Sequence, residues 1–309
     1  MRREQRTGVD LVVELCGLTL RTPLIPASGT LSREALGEVE DVYGAMLPKT
    51  TTPVARVGNP PPRVAETPAG MVNSIGLQNP GVESFLQDLD AFDLGVPILV
   101  SVAGDTVAEF SWLCEILSGD DRVSAVELNL SCPNVERGGL AFCAGPASVE
   151  KVVAACRAAF AGKPILAKLT NEGVVENARA AESAGADALT IMNTIPALTV
   201  DVRARKVLVR GGLSGPAIKP VALRAVHDVS GVVNVPVIGS GGVVSGTDVA
   251  EFMLAGATAV QVGTASFVRD PHEILGEFTV YLKENSLSAA ELTGALRSIR
   301  PALRGGGDI

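Results

Sequence analysis

Residues 126–134, VELNLSCPN, hold residue types that are well suited to proton transfer. The stretch begins as an apolar run typical of a buried strand. It turns polar where that strand is expected to end, with Asn129, Ser131, Cys132 and Asn134. A thiol can take up a proton, and carboxamides surround it with uncharged hydrogen-bond donors and acceptors. We interpret Cys132 as a candidate base. The alternative is a buried structural cysteine, because a free cysteine packs as a small hydrophobic residue.

Two lysines follow apolar runs of strand type, Lys49 in LPKT and Lys168 in LAKLT. A lysine at the inner end of a strand costs free energy to bury unless an anion pairs with it. Either lysine could therefore place a cation beside an electron-rich cofactor or a carboxylate substrate. The alternative is a lysine whose stem lies along the rim of the fold while its ammonium reaches solvent.

Glycine-rich turns follow the last two apolar runs, GSGG at residues 239–242 and GT at residues 263–264. In α/β barrels, glycine amides and the N-terminus of a short helix often hold a phosphate after the seventh and eighth strands. GSGG alone is weak evidence, because it is more often a plain turn, but the pair of turns together predicts such a phosphate site.

These residues need elements to position them, and short β-branched runs alternate with longer Ala-rich runs of helical type along the chain. Strands are predicted at residues 23–27, 45–48, 96–102, 124–129, 164–169, 188–192, 236–239 and 259–262. Helices are predicted at residues 82–92, 107–118, 146–160, 175–184, 221–229, 247–255 and 271–284. The alternation predicts a (β/α)8 TIM barrel in which polar residues follow the strand ends, where barrels bind their ligands.

Three further segments complete this prediction. Residues 11–20 are expected to form an N-terminal β-hairpin, and residues 53–81 and 193–216 are expected to be irregular active-site insertions. No linker or change in composition divides the chain, so we expect one domain over residues 1–309.

Composition excludes several classes of protein. The chain has 309 residues, 47% of them hydrophobic but only 4% aromatic, which favours an α/β fold over a β-sandwich. A net charge of −8 argues against a nucleic-acid partner. Five cysteines without a CxxC pair predict neither a disulfide framework nor a metal site, and they suit a reducing cytoplasm. We identify no signal peptide and no apolar run of membrane-spanning length.

Several motifs together resemble the dihydroorotate dehydrogenase family over about residues 15–278. They are NLSCPN at 129–134, LPKTTTP at 47–53, GNPPPR at 58–63, MVNSIGLQNPG at 71–81, MNT at 192–194, GGLSGPAIKP at 211–220, GSGGV at 239–243 and VGTA at 262–265. The resemblance implies an FMN-containing barrel that oxidises (S)-dihydroorotate to orotate in pyrimidine biosynthesis.

The resemblance also implies roles for individual residues. Cys132 matches the catalytic base that removes the C5 proton, while a hydride passes from C6 to FMN. The implied substrate-binding residues are Lys49, Asn73, Ser74, Ile75, Gly76, Leu77, Asn129, Asn134, Asn193 and Thr194. The implied FMN-binding residues are Ser28, Lys49, Thr50, Ser101, Asn129, Lys168, Met192, Gly215, Gly241, Gly242, Gly263 and Thr264. Two positions depart from the family pattern: Ser101, where relatives commonly have Asn, and Cys143, where they often have Gly.

The motifs are most similar to class 1B of the family. In that class a homodimeric catalytic core passes electrons to a partner subunit that carries FAD and a [2Fe–2S] cluster, and from there to NAD. This sequence has no cysteine array for such a cluster and no fingerprint for NAD, so a partner would have to supply both. The glycine pair 138–139 suggests a loop that opens for substrate, or else an ordinary turn.

Four alternatives remain open from the sequence. The chain could be a stand-alone class 1A enzyme that uses fumarate, or another FMN barrel acting on a different cyclic imide. It could also be an inactive paralogue that only binds a ligand. A phosphate-binding barrel without redox chemistry would account for the glycine pair but not for a thiol among asparagines.

Overall fold

The structure is a computed structural model that describes residues 8–31, 33–130 and 145–298. Its strands are β1 Val13–Leu15, β2 Leu18–Leu20, β3 Leu24–Pro26, β4 Val64–Thr67, β5 Gly70–Asn73, β6 Ile98–Val102, β7 Val123–Asn129, β8 Ile165–Leu169, β9 Ala188–Ile191, β10 Ile195–Asp201, β11 Lys206–Ser214, β12 Val237–Ser240 and β13 Ala259–Val262. Its α-helices are α1 Val82–Gln87, α2 Val107–Ser118, α3 Pro146–Ala159, α4 Val174–Ser183, α5 Lys219–Ser230, α6 Gly246–Leu254, α7 Pro271–Asn285, α8 Ala289–Leu292 and α9 Ala295–Ser298.

Seven parallel strands form one sheet in the order β3-β13-β12-β9-β8-β7-β6. Residues 44–51, which include the predicted second strand, lie between the first and last strands of this sheet. This segment makes isolated parallel bridges from Met46 to Ile98 and from Thr51 to Val102. On its other side, the amide of Gly44 donates to the carbonyl of Leu24 at 2.9 Å. The segment therefore joins both ends of the sheet. The predicted (β/α)8 TIM-barrel fold is confirmed.

The helices begin and end close to their predicted bounds, with one difference. Residues 82–92 form α1 and then a separate 3-10 helix, Leu89–Phe92, rather than a single helix. At the junction, the amide of Asp88 donates to Phe85 as well as Ser84, and that of Ala91 donates to Asp88. This change to i→i+3 bonding tightens the turn and ends the α-helix. Among the described residues, five further short helices were not predicted from sequence: the 3-10 helices Arg33–Glu38, Pro216–Ile218 and Thr264–Phe267, and the C-terminal α8 and α9.

Residues 53–81 and 193–216 were predicted to be irregular, and this was wrong. Each contains a β-hairpin, and the four strands form one antiparallel sheet in the order β10-β11-β5-β4. The strands β5 and β11 meet where a Cβ on Gly211 would lie 1.9 Å from the carbonyl oxygen of Asn73. The glycines that suggested loops instead allow two backbones to approach closely. Because the partner strands are far apart in sequence, local composition did not predict their pairing.

The N-terminal hairpin β1–β2 is confirmed, and it buries Leu15 and Leu20 in the hydrophobic core. The amide of Ala289 in α8 donates to Asp10 beside the hairpin, which ties the C-terminal helices to it. Around the barrel, helices pack tightly on the strands: a Cβ on Gly239 of β12 would lie 2.6 Å from the ring of Phe252 in α6. Within the described ranges, no helix is both long and apolar enough to cross a membrane.

Candidate active site

A cavity of about 460 Å³ opens at the carboxyl ends of the barrel strands, and the four-stranded antiparallel sheet forms part of its wall. This is the end of the barrel where ligands are bound, and the volume suits a small molecule or cofactor. Most residues predicted for the site line the cavity: Ser28, Lys49, Thr50, Asn73, Ile75, Gly76, Leu77, Asn129, Lys168, Met192, Asn193, Thr194, Gly215, Gly241, Gly242, Gly263 and Thr264.

Two predicted site residues that the structure describes are not in this lining. Ser74 lies behind it, where its hydroxyl accepts a hydrogen bond from the side chain of Asn59 at 2.9 Å. Ser101 is buried behind Thr50. Cys132 and Asn134, together with Ser131, Cys143 and the glycine pair 138–139, lie outside the described residues. Their predicted roles therefore stay predictions.

The cavity also has lining residues outside the predicted set: Ala27, Gly29, Thr30, Val64, Met71, Ser214, Ile218 and Phe267, with Ser240 from the predicted turn at residues 239–242. Ala27, Gly29 and Ser214 are direct neighbours of predicted residues, so proximity to those residues was the signal that could have found them. Val64 and Met71 could not be found in this way, because they reach the cavity on the unexpected hairpin β4–β5.

Three hydroxyl groups form a chain beside the cavity. The Oγ of Ser28 donates to the carbonyl of Pro48 at 3.0 Å and lies 2.8 Å from the hydroxyl of Thr50, which lies 2.9 Å from that of Ser101. A carbonyl only accepts and each hydroxyl has one proton, so the chain runs from Ser101 to Thr50 to Ser28. Ser101 therefore orients the hydroxyl of Thr50, which lines the cavity.

The glycine turns form a cradle of backbone at one end of the cavity. Gly241 and Gly242 have φ values of 124° and 81°, and a Cβ on Gly242 would lie 2.7 Å from the amide nitrogen of Lys219 and 2.9 Å from the carbonyl oxygen of Gly215. A side chain would therefore collide with backbone, and glycine turns of this kind can present their amides as donors to an anion. The cradle fits the phosphate of FMN.

At the N-terminus of α6, next to this cradle, carboxylates already accept hydrogen bonds from backbone amides. The amides of Val244 and Ser245 donate to Asp248, which completes a capping box with Ser245. Burial alone would raise the pKa of Asp248, but hydrogen bonds from Lys219, Val244 and Ser245 hold it below its usual value. The same contact with Asp248, and a second with Glu251, raise the pKa of Lys219. A phosphate would thus bind the glycine loops rather than this helix or this lysine.

Asparagines gather at another part of the wall. The side-chain amide of Asn193 lies 3.4 Å from the Oδ1 of Asn129, and its own Oδ1 accepts from the amide of Thr194 at 2.8 Å. Across the cavity wall, Asn73 on β5 donates to the carbonyl of Gly212 on β11 at 3.4 Å. These carboxamides can donate to and accept from a polar ring without placing fixed charge beside it.

Lys168 is buried, with 8% of its side chain exposed, and it has the anionic partner that such burial requires. Its Nζ lies 3.8 Å from the carboxylate of Glu127 and donates to the Oε1 of Gln261 at 2.7 Å. The alternative of a lysine reaching solvent from the rim is therefore wrong. Glu127 and Gln261 were not predicted from sequence. A charged residue inside the apolar strand β7 was the signal available for Glu127.

No group of three or more His, Cys, Asp or Glu side chains in the described part of the chain is arranged to hold a metal ion. Cys114 and Cys156 are buried in the neighbouring helices α2 and α3, where their contact raises the pKa of the Cys156 thiol. Burial raises the pKa of Cys16 to about 12, so this thiol in the turn of the N-terminal hairpin is protonated at neutral pH.

Comparison with known proteins identifies the family of the chain. The catalytic subunit of dihydroorotate dehydrogenase B (NAD(+)) from Pelobacter propionicus is 45% identical over 300 residues, which cover 93% of this chain and 98% of that protein. The same subunit from Trichlorobacter lovleyi is 46% identical, covering 92% of this chain and 97% of that protein. A crystal structure of dihydroorotate dehydrogenase from Eimeria tenella in complex with ferulenol has the same fold, with a TM-score of 0.82 at 21% identity over 97% of this chain and 92% of that one. The family model for dihydroorotate dehydrogenase matches residues 10–277, and the chain therefore belongs to the dihydroorotate dehydrogenase family.

Proposed function

We propose that this chain oxidises (S)-dihydroorotate to orotate, a step of pyrimidine biosynthesis, with FMN bound in the cavity. The observation that carries the proposal is one cavity that brings together a glycine cradle, two lysines and three asparagines at the carboxyl ends of the strands. FMN supplies the hydride acceptor of the reaction. The relatives at 45% and 46% identity are named for dihydroorotate oxidation, which supports the same substrate here.

The residues of the chain have distinct tasks in this proposal. The loops of Gly215, Gly241, Gly242 and Gly263 hold the cofactor phosphate on backbone amides. Asn73, Asn129 and Asn193 form hydrogen bonds with the ring amides and the carboxylate of the substrate. Lys49 adds a cation for that carboxylate or for a cofactor oxygen. Because the asparagines are neutral, they position the substrate without opposing formation of a thiolate nearby.

Cys132 is the proposed base, and it takes the proton from C5 of the substrate. It is three residues after Asn129, which ends strand β7 and lines the cavity, and this closeness in sequence supports the role. A free thiol has a pKa near 8.5. We therefore expect the rate of substrate oxidation to increase as the pH rises towards that value.

The first test is anaerobic mixing of dihydroorotate with the purified, FMN-loaded chain while the flavin absorbance is followed. We expect bleaching with the unchanged chain and a loss of at least a thousandfold in its rate with Cys132→Ala, because no base would remain for C5. FMN content should not change. Cys16→Ala is the matched control, since this thiol lies in the distant hairpin turn, and it should bleach normally. A yellow chain that dihydroorotate does not bleach would contradict the substrate assignment.

We further propose that electrons leave through a partner subunit that carries FAD and a [2Fe–2S] cluster, with NAD as the final acceptor and a homodimer of this chain as the core. The names of the relatives specify NAD(+) and a catalytic subunit, which supports this arrangement. After bleaching, fumarate and NAD are added separately. Failure of both to restore the absorbance supports a missing partner, whereas restoration by fumarate would indicate a stand-alone enzyme.

A further inference from the structure

A closed ring of polar side chains lies in the barrel interior beside the cavity. Glu127 is fully buried, and its Oε2 accepts hydrogen bonds from the hydroxyl of Thr190 and from the Nε2 of Gln261, both at 2.7 Å. The Oε1 of Gln261 accepts from Lys168 at 2.7 Å, and the Nζ of Lys168 lies 3.8 Å from the Oε1 of Glu127. Of these four residues, only Lys168 is among the lining of the cavity.

The ring has one consistent arrangement of donors and acceptors. Gln261 has its amide nitrogen against the carboxylate and its oxygen against the ammonium, and the opposite orientation would place like groups together at both ends. A carboxylate without exposed surface loses its hydration, so it needs donors and a nearby cation. Glu127 has two neutral donors and one cation. Its carboxylate is therefore the counter-charge of Lys168, and Gln261 connects the two.

The polar ring lies next to the cavity wall, so the charges of Glu127 and Lys168 are close to the proposed cofactor site. Glu127 is two residues before Asn129 on β7, so both side chains lie on the same face of the strand, one layer apart. Lys168 is opposite Asn129 on the neighbouring strand β8. The lysine thus carries its cation at the layer that meets the cavity, while the carboxylate stays one layer deeper. In this low-dielectric interior the field of each charge extends to the cavity.

Resting on the FMN site proposed above, we propose that Glu127 is a positioning residue that sets the two-electron midpoint potential of bound FMN. Through Gln261 it fixes the ammonium of Lys168 at the cavity wall, and its own charge offsets part of the positive field that Lys168 exerts on the cofactor. A cation near the flavin favours the electron-rich form. The carboxylate therefore keeps the potential lower than Lys168 alone would set it.

The test is a reductive titration of the FMN-loaded chain against reference dyes, without substrate. We expect Glu127→Gln, which keeps the size and removes the charge, to shift the reduction equilibrium at least tenfold towards reduced FMN. For a two-electron couple this is an increase of about 30 mV. Glu127→Asp keeps the charge but withdraws it from Lys168 by one methylene group, so it should shift the potential in the same direction by less. This second variant tests the proposal if removing the charge prevents folding.

Thr190→Val is the matched control. It removes the other hydrogen bond to the same carboxylate oxygen, at an equally buried position, and changes no charge. A role in packing alone would make this control resemble the Glu127 variants. A potential that is unchanged in both Glu127 variants, or that moves as far in Thr190→Val, would overturn the proposal. An error in the substrate assignment is detected separately, as an FMN-loaded chain that dihydroorotate does not bleach.

Discussion

Thr50 lies at the centre of the hydroxyl chain beside the cavity, and its environment defines what Ser101 can do. Ser101 is buried and contributes its hydroxyl to Thr50, while its backbone carbonyl accepts from the amide of Thr51. The family resemblance implies a longer Asn at this position. In this chain the shorter serine leaves contact with the cavity to Thr50, so we expect Ser101 to affect FMN through that residue.

Substitutions at Thr50 and Ser101 distinguish a residue that contacts FMN from one that only orients its neighbour. Thr50→Val removes the central hydroxyl and leaves Ser101 without its acceptor, at a cost of about 1–3 kcal/mol for the buried group. We expect FMN affinity to fall at least tenfold. Ser101→Ala leaves the bond from Thr50 to Ser28 intact, so FMN affinity should stay within about threefold. Fluorescence titration of the FMN-free chain measures both. An equal loss in the two variants would mean that Ser101 contacts the cofactor itself.

Helix α7 begins with a pair of carboxylates around one histidine. Asp270 caps the helix, and its Oδ1 lies 2.8 Å from the Nδ1 of His272, whose Nε2 lies 2.9 Å from Asp41. Burial alone would lower the pKa of His272, but the two carboxylates raise it above its usual value, and His272 in turn lowers the pKa of Asp270. The protonated imidazole thus links α7 to the loop after the first barrel strand.

This link predicts a pH-dependent stability. Because the pKa of His272 is higher in the folded state, its stabilisation is fully present below the unfolded pKa of about 6.5 and is lost as pH rises through the folded value. His272→Gln should therefore lower the unfolding temperature at pH 5.5 and make little difference at pH 9. The side chain is 43% exposed, so solvent screening limits the effect to below about 1 kcal/mol.

The matched control for this element is His227→Gln, at the end of α5, where the ring lies 3.3 Å from the carboxylate of Asp228. It makes the same substitution at another partly exposed helical position, so it controls for the loss of a histidine side chain as such. Differential scanning calorimetry at the two pH values measures all three proteins. A stability difference for His272→Gln that is the same at pH 5.5 and pH 9 would contradict the role of the charged imidazole.

The barrel closes at residues 44–51, which join β3 to β6. They do so through isolated bridges and single hydrogen bonds and not as a continuous strand. Gly44 is at that seam, and a Cβ there would lie 2.0 Å from the carbonyl oxygen of Thr22 and 2.9 Å from the side chain of Leu20. The backbone on both sides is buried. The seam can therefore relieve such a contact only by separating the two segments.

Gly44→Ala should destabilise the whole fold. Overpacking of a buried site costs about 1–3 kcal/mol, and here it also strains the hydrogen bond that closes the barrel. We expect the midpoint of urea unfolding to fall while the slope stays constant. Gly37→Ala, in the 3-10 helix nearby, is the control, since nothing lies within 4 Å of its Cβ. Equal midpoints for the two variants would show that the seam can adjust.

The sequence by itself determined the barrel and most of the cavity lining. Strand runs are short and apolar, polar residues follow them, and the carboxyl ends of parallel strands must meet on one face of the barrel. Local pattern was therefore enough to place Lys49, Asn129, Lys168 and the glycine turns at one site. The motif resemblance pointed to the family that the comparisons then established.

Only the tertiary structure decided which residues complete that site from a distance. The partners of Glu127 lie 63 and 134 positions away in sequence, and the two insertions pair as one sheet although their strands are about as far apart. The residues next to Glu127 in the sequence do not show whether its buried carboxylate has a cation as partner. Likewise, glycines such as Gly211 suggest a loop from sequence, and only the structure shows that another strand packs against them. Such contacts depend on which strands become neighbours, and that is set by closure of the barrel.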